Sequence, residues 1–212
     1  MTIALPRIQR LPQAERGITI GDFLVPIRIG ERISSRARHI ALILLGAIVV
    51  SLSTQIIIPT SPIPFTGQTF AVLLVGGALG FRRAALSLAL YMLLGAVGLP
   101  VFSRGGHGTE FILGATGGYI IGFIVAAAVA GRLAELGWDR HIVGSIGAML
   151  VGNIAIYAFG APWLAVVTHR SLGDAIAVGV APFLLWDAIK IVAAAAVFPA
   201  AWWLVGRRPG ER

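Results

Sequence analysis

The sequence predicts an all-α integral membrane protein, with six transmembrane helices in a single bundle and both termini in the cytoplasm. Of its 212 residues, 57% are hydrophobic and only 12% are charged, and the mean hydropathy is +0.88. A soluble domain carries about 25% charged residues. Long apolar runs are therefore expected to dominate the chain, and the expected location is the cell membrane, which the chain would cross several times.

Six apolar runs account for the predicted helices. They cover residues 40–58, 68–80, 82–99, 115–133, 141–160 and 181–205. Each is expected to be helical because the hydrocarbon core forces backbone groups to bond within their own segment. The second run is short for a crossing of roughly 20 residues, so a short, tilted or partly broken helix is expected there.

The segments between the runs carry turn residues. Residues 59–67, PTSPIPFTG, hold three prolines and cannot form a regular helix. Residues 98–108, GLPVFSRGGHG, are glycine-rich and polar. Residues 163–182 form a longer connection, in which a short interfacial helix has room.

Basic residues set the predicted orientation. With the N-terminus in the cytoplasm, fourteen basic residues fall inside, Arg104 and Arg170 fall outside, and Lys190 lies within a span. This split follows the positive-inside rule. The expected organisation is a basic cytoplasmic or interfacial leader (1–38), a six-helix transmembrane substrate-binding domain (39–206) and a cytoplasmic tail (207–212).

The net charge of +8 does not indicate nucleic-acid binding. Seven of the 17 basic residues lie before position 39, and most others lie at the ends of apolar runs. Such placement is typical of segments that face anionic lipid. No nucleic-acid-binding module is recognisable, so membrane lipid is an expected partner and nucleic acid is not.

Motifs of catalysis are missing from the sequence. A Walker A loop needs a lysine before Ser or Thr, and the single lysine, Lys190, is followed by Ile191. The four histidines lack metal-ligand spacing. We therefore expect no enzyme activity, no metal and no cofactor, and ATP-driven transport would require partner ATPases.

A full-charge pair inside a predicted span is the strongest sign of a binding site. Asp187 and Lys190 lie three residues apart in the sixth run, on one helical face. Each costs about 2.5–3.5 kcal/mol near the centre of a span, so such residues face the bundle interior and tend to be functional. The alternative is a structural ion pair that only neutralises itself.

Asn153 is predicted to reach the depth of this pair. Asp187 lies roughly 9 Å from the outer end of the sixth run, and Asn153 roughly 10 Å from the outer end of the fifth, at 1.5 Å per residue. The two runs are antiparallel, so a small-molecule site open to the exterior is the natural interpretation. A hydrogen bond between helices is an equal alternative for Asn153.

Three further residues are weaker candidates for the site. Arg104 lies in an outer loop, where it could clamp a carboxylate or remain a solvated charge. Trp186 and Tyr157 could form the wall of a pocket, or serve as ordinary packing or interface aromatics.

Small residues four positions apart predict close helix packing. Gly118 and Gly122 are one such pair, for which packing within the chain is the expected role. Ala37 and Ala41 repeat the spacing at the start of the first run, where the face could be free for another subunit.

Five segments, taken in order, carry a family resemblance: PIPFTGQTFAVLLVGGALG, LYMLLGAVGLPVFSRGGHG, LGATGGYIIGF, GNIAIYAFGAPWLA and PFLLWDAIK. Together they resemble the biotin-specific S component (BioY family) of energy-coupling factor transporters. The resemblance covers about residues 40–200. It implies a six-helix subunit that captures biotin from outside with high affinity. Its partners would be a transmembrane coupling subunit and two cytoplasmic ATPase subunits.

The resemblance also implies roles for individual residues. The Asp-x-x-Lys of the family's biotin site maps onto Asp187 and Lys190, and the asparagine of its Gly-Asn segment maps onto Asn153. The Gly-Gly-Tyr motif maps onto residues 117–119 and implies a structural role.

At the first span, Ala37 and Ala41 resemble the small-residue motif that meets the coupling subunit. The 38-residue leader departs from the family pattern, as does Ala115, where the family carries proline.

The chemistry of biotin suits these residues. An ionised aspartate accepts from the ureido N–H groups, and asparagine both donates and accepts. Lys190 or Arg104 suits the carboxylate, and apolar walls suit the rings.

Two other functions stay open at this point. The first is a proton-coupled secondary transporter of a small carboxylate-bearing vitamin, with Asp187 as proton carrier. The lack of a clear inverted repeat counts against it. The second is a membrane enzyme using the pair as acid and base, for which no nucleophile or metal cluster is present.

Overall fold

The computed structural model describes residues 18–24, 34–59 and 62–205, and in this part of the chain the structure is helical apart from one short hairpin. The helices are α1 (Gly21–Leu24), α2 (Ser35–Thr54), α3 (Gln68–Leu79), α4 (Phe81–Ala96), α5 (Gly108–Leu113), α6 (Gly117–Glu135), α7 (Ile142–Val167), α8 (Leu172–Gly179) and α9 (Leu184–Val205). Single 3-10 turns occur at Ser103–Gly105, Trp138–Arg140 and Ala181–Phe183. Most of the predicted leader 1–38 and the whole tail 207–212 lie outside the described residues.

Among the described residues, four helical stretches are long and apolar enough to cross a membrane. They are Arg36–Thr54, Gly117–Glu135, Ile142–Val167 and Leu172–Leu204, the last of which joins α8 to α9. The predicted class, a helical membrane protein, is therefore confirmed for the described residues. Helix α3 is apolar but has only 12 residues, as the short second run indicated.

The proline-rich segment forms the hairpin. Strands β1 (Ile57–Ile58) and β2 (Phe65–Thr66) pair antiparallel, with Ile57 opposite Thr66. The prolines between them exclude a regular helix, as predicted, and β2 ends immediately before α3.

Three parts of the chain differ from the sequence prediction. The first run was expected to be helical over 40–58, but α2 covers Ser35–Thr54, and Ile57–Ile58 form β1. The fifth run was expected to end at 160, but α7 continues through Pro162 to Val167. The proline removes one backbone donor from the helix, while the apolar residues after it still favour helix in lipid. The remaining connection contains α8, the short helix for which room was expected. The glycine-rich segment after α4 leads into α5, which the sequence analysis did not anticipate.

Helix α6 is the centre of the bundle. Within its span 67% of the residues are buried, against 22–33% in the other three long stretches, and it packs on α3, α4 and α7. Glycines permit the close approach to α7. A Cβ on Gly118 would lie 2.2 Å from the Cβ of Trp163, and one on Gly122 would lie 2.9 Å from the carbonyl oxygen of Ile156. Packing within the chain, the expected role of this pair, is confirmed.

Replacing Gly118 by alanine is expected to destabilise the protein by about 1–3 kcal/mol, because the added methyl group overlaps atoms close to the α7 backbone that cannot move aside. Thermal unfolding in detergent measures the effect. Gly173→Ala is the matched control, since a Cβ there meets only the Ser171 hydroxyl, at 3.8 Å. Equal melting temperatures for the two variants would contradict the packing argument.

Candidate functional site

Asp187 and Lys190 form an ion pair at the start of α9. The Lys190 Nζ lies 3.5 Å from the Asp187 Oδ1, as the three-residue spacing predicts. Asp187 is only 3% exposed, whereas 21% of the Lys190 side chain is exposed. The amine is therefore partly accessible to solvent, whereas the carboxylate is buried behind it.

Hydrogen-bond donors from two other helices surround the Asp187 carboxylate. The Asn153 Nδ2 donates to its Oδ2 at 3.1 Å, and the Tyr157 hydroxyl donates to the same oxygen. The Thr69 hydroxyl donates to Oδ1 at 3.4 Å. Asn153 and Tyr157 are one turn apart on α7, so both face α9. The prediction that Asn153 reaches the depth of Asp187 is confirmed, and the hydrogen bond between helices, one of the two roles left open for Asn153, is present.

The Lys190 ammonium ties α9 to the hairpin and to α3. It donates to the Thr66 carbonyl oxygen at 2.9 Å and to the Thr69 hydroxyl at 2.8 Å, in addition to its contact with Asp187. An ammonium has three donors, and these contacts occupy all of them. Thr69 thus accepts from the lysine and donates to the aspartate, which closes a ring of contacts. We call this ring of Asp187, Lys190 and Thr69, with the Asn153, Tyr157 and Thr66 groups bonded to it, the polar ring.

A cavity opens beside this ring, with about 580 Å³ of empty space including its mouth. Its polar lining includes Thr66, Gln68, Thr69, Tyr91, Tyr119, Tyr157 and Lys190. Its apolar lining includes Ile63, Phe111, Ile120, Phe123, Ile156 and Phe183. The cavity therefore combines apolar walls with hydroxyl, amide and amine groups.

Aromatic side chains border the cavity at the hairpin. Phe65 on β2 stacks on Phe183, with ring centroids 4.2 Å apart. Phe183 belongs to the 3-10 turn that precedes α9, so this stack joins the hairpin to the helix that carries the ion pair. On the opposite wall, the Tyr119 hydroxyl donates to the Gly179 carbonyl oxygen at 2.9 Å, which fixes the end of α8 against α6.

The predicted substrate-binding residues divide into three groups. Lys190 and Tyr157 line the cavity, and Asp187 and Asn153 lie behind them. Arg104 and Trp186 are exposed and are not part of the lining. Their roles toward a ligand remain predictions.

Local geometry explains why two candidates lie apart from the cavity. Trp186 immediately precedes Asp187, and one residue turns a helix by about 100°, so the two side chains diverge. Trp186 is 48% exposed. Arg104 has the left-handed φ of +60° in its 3-10 turn. Such a conformation is uncommon outside glycine. The Arg104 side chain is exposed on this loop.

Several lining residues were missed by the sequence analysis. Gln68 and Thr69 begin α3, and Tyr91 lies near the end of α4, where its hydroxyl accepts from the Gln68 Nε2 at 2.9 Å. A polar side chain inside an apolar run is the signal that could have revealed them. This signal is weaker than for Asp or Lys, because the free energy of placing an uncharged polar residue in a span is smaller.

Among residues 18–24, 34–59 and 62–205, no group of three or more His, Cys, Asp or Glu side chains could hold a metal ion. The polar groups at the cavity are hydroxyls, amides, one carboxylate and one amine, which suit a ligand with both donors and acceptors.

Comparisons with known proteins agree on one family. The biotin transporter BioY of Thermotoga maritima is 41% identical over 157 residues, which cover 74% of this chain and 87% of that protein. The probable biotin transporter BioY of Pyrococcus horikoshii is 36% identical over 159 residues, covering 75% and 93%. The crystal structure of an S-component for biotin from an ECF-type ABC transporter shares the fold, with a TM-score of 0.73 and 22% identity over 81% of this chain and 95% of that one. The BioY family model matches residues 28–207, and the chain therefore belongs to the BioY family.

Proposed function

We propose that this chain is the high-affinity substrate-binding subunit of an energy-coupling factor transporter and that it captures biotin from outside the cell. The observation that carries the proposal is the closed polar ring beside a largely apolar cavity. Relatives named as biotin transporters, of which the chain covers most of the length, support biotin as the ligand.

The cavity lining suits the two halves of biotin. The fused rings and the alkyl chain match the apolar walls, and the ureido group matches the hydroxyls of the polar lining. One further acceptor is available, because the Asn153 Oδ1 is buried and has no hydrogen-bond partner among the described residues. A ureido N–H that reached it after a small shift of Tyr157 would satisfy it.

We also propose six membrane crossings with both termini in the cytoplasm. Helices α3 and α6 start at the cavity, α4 and the second half of α7 return to it, and α9 starts there again. Helix α2 ends beside the cavity loops, where the Gln55 Nε2 donates to the Phe102 carbonyl oxygen at 3.1 Å. These six helices therefore alternate in direction, which supports an even number of crossings in the cell membrane.

The proposed partners are a transmembrane coupling subunit and two cytoplasmic ATPase subunits. The lack of a Walker A lysine supports ATP hydrolysis elsewhere. Ala37 and Ala41 are both exposed on α2, at the end of the bundle remote from the cavity. Their small size leaves room for the close approach of a second helix, and we assign that face to the coupling subunit.

Titration calorimetry on the purified full chain in detergent tests the binding step. We expect one biotin per chain, bound without ATP and without any partner, while lipoate, a carboxylate with no ureido group, binds far more weakly. If biotin produced no heat at any concentration tested, the proposed ligand would be wrong.

An uptake assay separates the proposal from a proton-coupled secondary transporter. We expect labelled biotin to accumulate only in cells that also express the coupling and ATPase subunits. Accumulation in cells lacking them, abolished when the proton gradient is dissipated, would favour the secondary transporter instead. The fixed donors around Asp187 argue against that outcome, because a proton carrier must exchange its partners.

A further inference from the structure

A second concave surface lies at the opposite end of the bundle, and we call it the basic cleft. It lies between the start of α2, the end of α3, the start of α4 and the end of α6. Its charged lining residues are Asp22, Arg82, Arg83, Arg132 and Glu135. The cleft is wide, with about 1520 Å³ of empty space including its open side. None of its lining residues borders the cavity near Lys190.

The two carboxylates of the basic cleft are already engaged. Asp22 pairs with Arg83 at 2.8 Å and with Arg38 at 3.3 Å. Burial alone would raise the pKa of Asp22, but the Thr19 N–H and the Arg83 guanidinium outweigh it and hold that pKa below its usual range. Asp22 therefore stays ionised and offsets the charge of its arginine partners.

Glu135 is engaged in a similar way. It pairs with Arg132 at 3.0 Å, and its other oxygen accepts from the Phe81 N–H at 2.9 Å. A carboxylate at this position caps the first turn of α4 and interacts favourably with the positive end of that helix.

Arg82 is the lining arginine that has no carboxylate partner among the described residues. It is exposed and makes no ion pair or hydrogen bond with any residue that the structure describes. The lining contains three arginines and two carboxylates, so these five side chains have a net charge of +1. Arg132 adds to the attraction for an anion because 63% of its side chain is exposed despite its pairing with Glu135.

Apolar side chains continue from the arginines along the outside of the bundle. Phe81 is 44% exposed and Leu86 is 54% exposed, and both line the cleft with Ile43. A free inorganic anion would make no use of these side chains. A ligand that is anionic at one end and apolar at the other would contact both the guanidinium groups and the apolar wall.

We propose that the basic cleft binds an anionic phospholipid, with its phosphate at Arg82 and Arg132 and its acyl chains along Ile43, Phe81 and Leu86. The guanidinium fork of arginine matches phosphate oxygens in a bidentate manner. Basic pockets between transmembrane helices are a recognised form of lipid head-group site. The lipid would hold together four helices that meet at the cleft.

Native mass spectrometry of the full chain, released from detergent containing equal phosphatidylglycerol and phosphatidylcholine, tests the proposal. We expect one phosphatidylglycerol to be retained in preference to phosphatidylcholine. The variant Arg82→Gln should reduce its retention about fivefold, the effect of one basic residue near a lipid surface. Arg170→Gln removes an exposed arginine near the cavity end of the bundle and should leave retention unchanged.

Two further measurements distinguish a bound lipid from a bound free anion. Leu86→Gln keeps every charge in the cleft but should also weaken retention, and excess inorganic phosphate should not release the lipid. Equal retention of the two lipids, equal losses in Arg82→Gln and Arg170→Gln, or complete release by inorganic phosphate would each overturn the proposal. Biotin binding by Arg82→Gln serves as the check on folding and should be unchanged, because the cleft lies apart from the cavity.

Discussion

Replacing Asp187 by alanine is expected to weaken biotin binding by about fivefold to 150-fold, the range that corresponds to about 1–3 kcal/mol for a buried polar group left without its partner. The substitution leaves the Asn153 amide and the Tyr157 hydroxyl without their common acceptor. It also leaves the Lys190 ammonium without its counter-charge. Titration calorimetry of the purified variant measures the loss.

Two controls show whether the loss comes from the polar ring itself. Asp174→Ala removes an exposed aspartate from α8 and should bind biotin as the unaltered chain does. Asp187→Asn keeps the shape and one acceptor oxygen, so it should fall between the alanine variant and the unaltered chain. Unchanged affinity in Asp187→Ala, in a protein that still unfolds cooperatively, would remove the ring from the binding site.

The charged pair in the polar ring was the most predictable part of the candidate site, because the cost of burying charge in lipid is large enough to be evident in a single sequence. Asp and Lys inside an apolar run need partners, and helix spacing together with depth predicted that Asn153 reaches the level of Asp187. Tyr157 was only a weaker candidate, and its hydrogen bond to Asp187 follows from its position one turn from Asn153 on the same face.

The uncharged lining was not predictable in this way. Thr66 contributes a backbone carbonyl, and every residue has one, so its role depends on how the hairpin folds over α9. Thr69 is an ordinary residue in an apolar helix until the tertiary structure places its hydroxyl between Lys190 and Asp187. Both contacts join segments more than a hundred residues apart, and local patterns contain no information about such pairings.

Asp139, at the other end of the bundle, is another residue whose contacts could not be predicted from local sequence. It lies in the turn between α6 and α7, where an aspartate would ordinarily be solvated, yet it is 1% exposed. The Trp202 Nε1 donates to its Oδ2 at 2.6 Å, and burial raises its pKa to about 6. The helical, membrane-spanning character of the chain could be inferred from apolar length, but the docking of α9 against this turn could not.

Replacing Lys190 by methionine, which has similar length but no charge, is expected to weaken biotin binding by about fivefold to 150-fold. The Thr66 carbonyl oxygen loses its donor, and Asp187 loses its counter-charge. Adding Asp187→Asn to this variant should cost less than the sum of the two single effects, because removing both charges leaves neither one buried alone. Additive losses would show that the two side chains act independently.

Comparing biotin with its uncharged carboxamide identifies the group on which Lys190 acts. All three ammonium donors are held by Thr66, Thr69 and Asp187, so the lysine is engaged in ordering the hairpin and the carboxylate rather than free to meet the ligand's tail. We therefore expect Lys190→Met to weaken both ligands equally. If binding of biotin fell while that of the carboxamide did not, the ammonium would exchange a protein partner for the ligand carboxylate, and the polar ring would open on binding. Arg104→Gln, measured with the same two ligands, then shows whether the exposed loop arginine recognises the tail, since only biotin would lose affinity in that case.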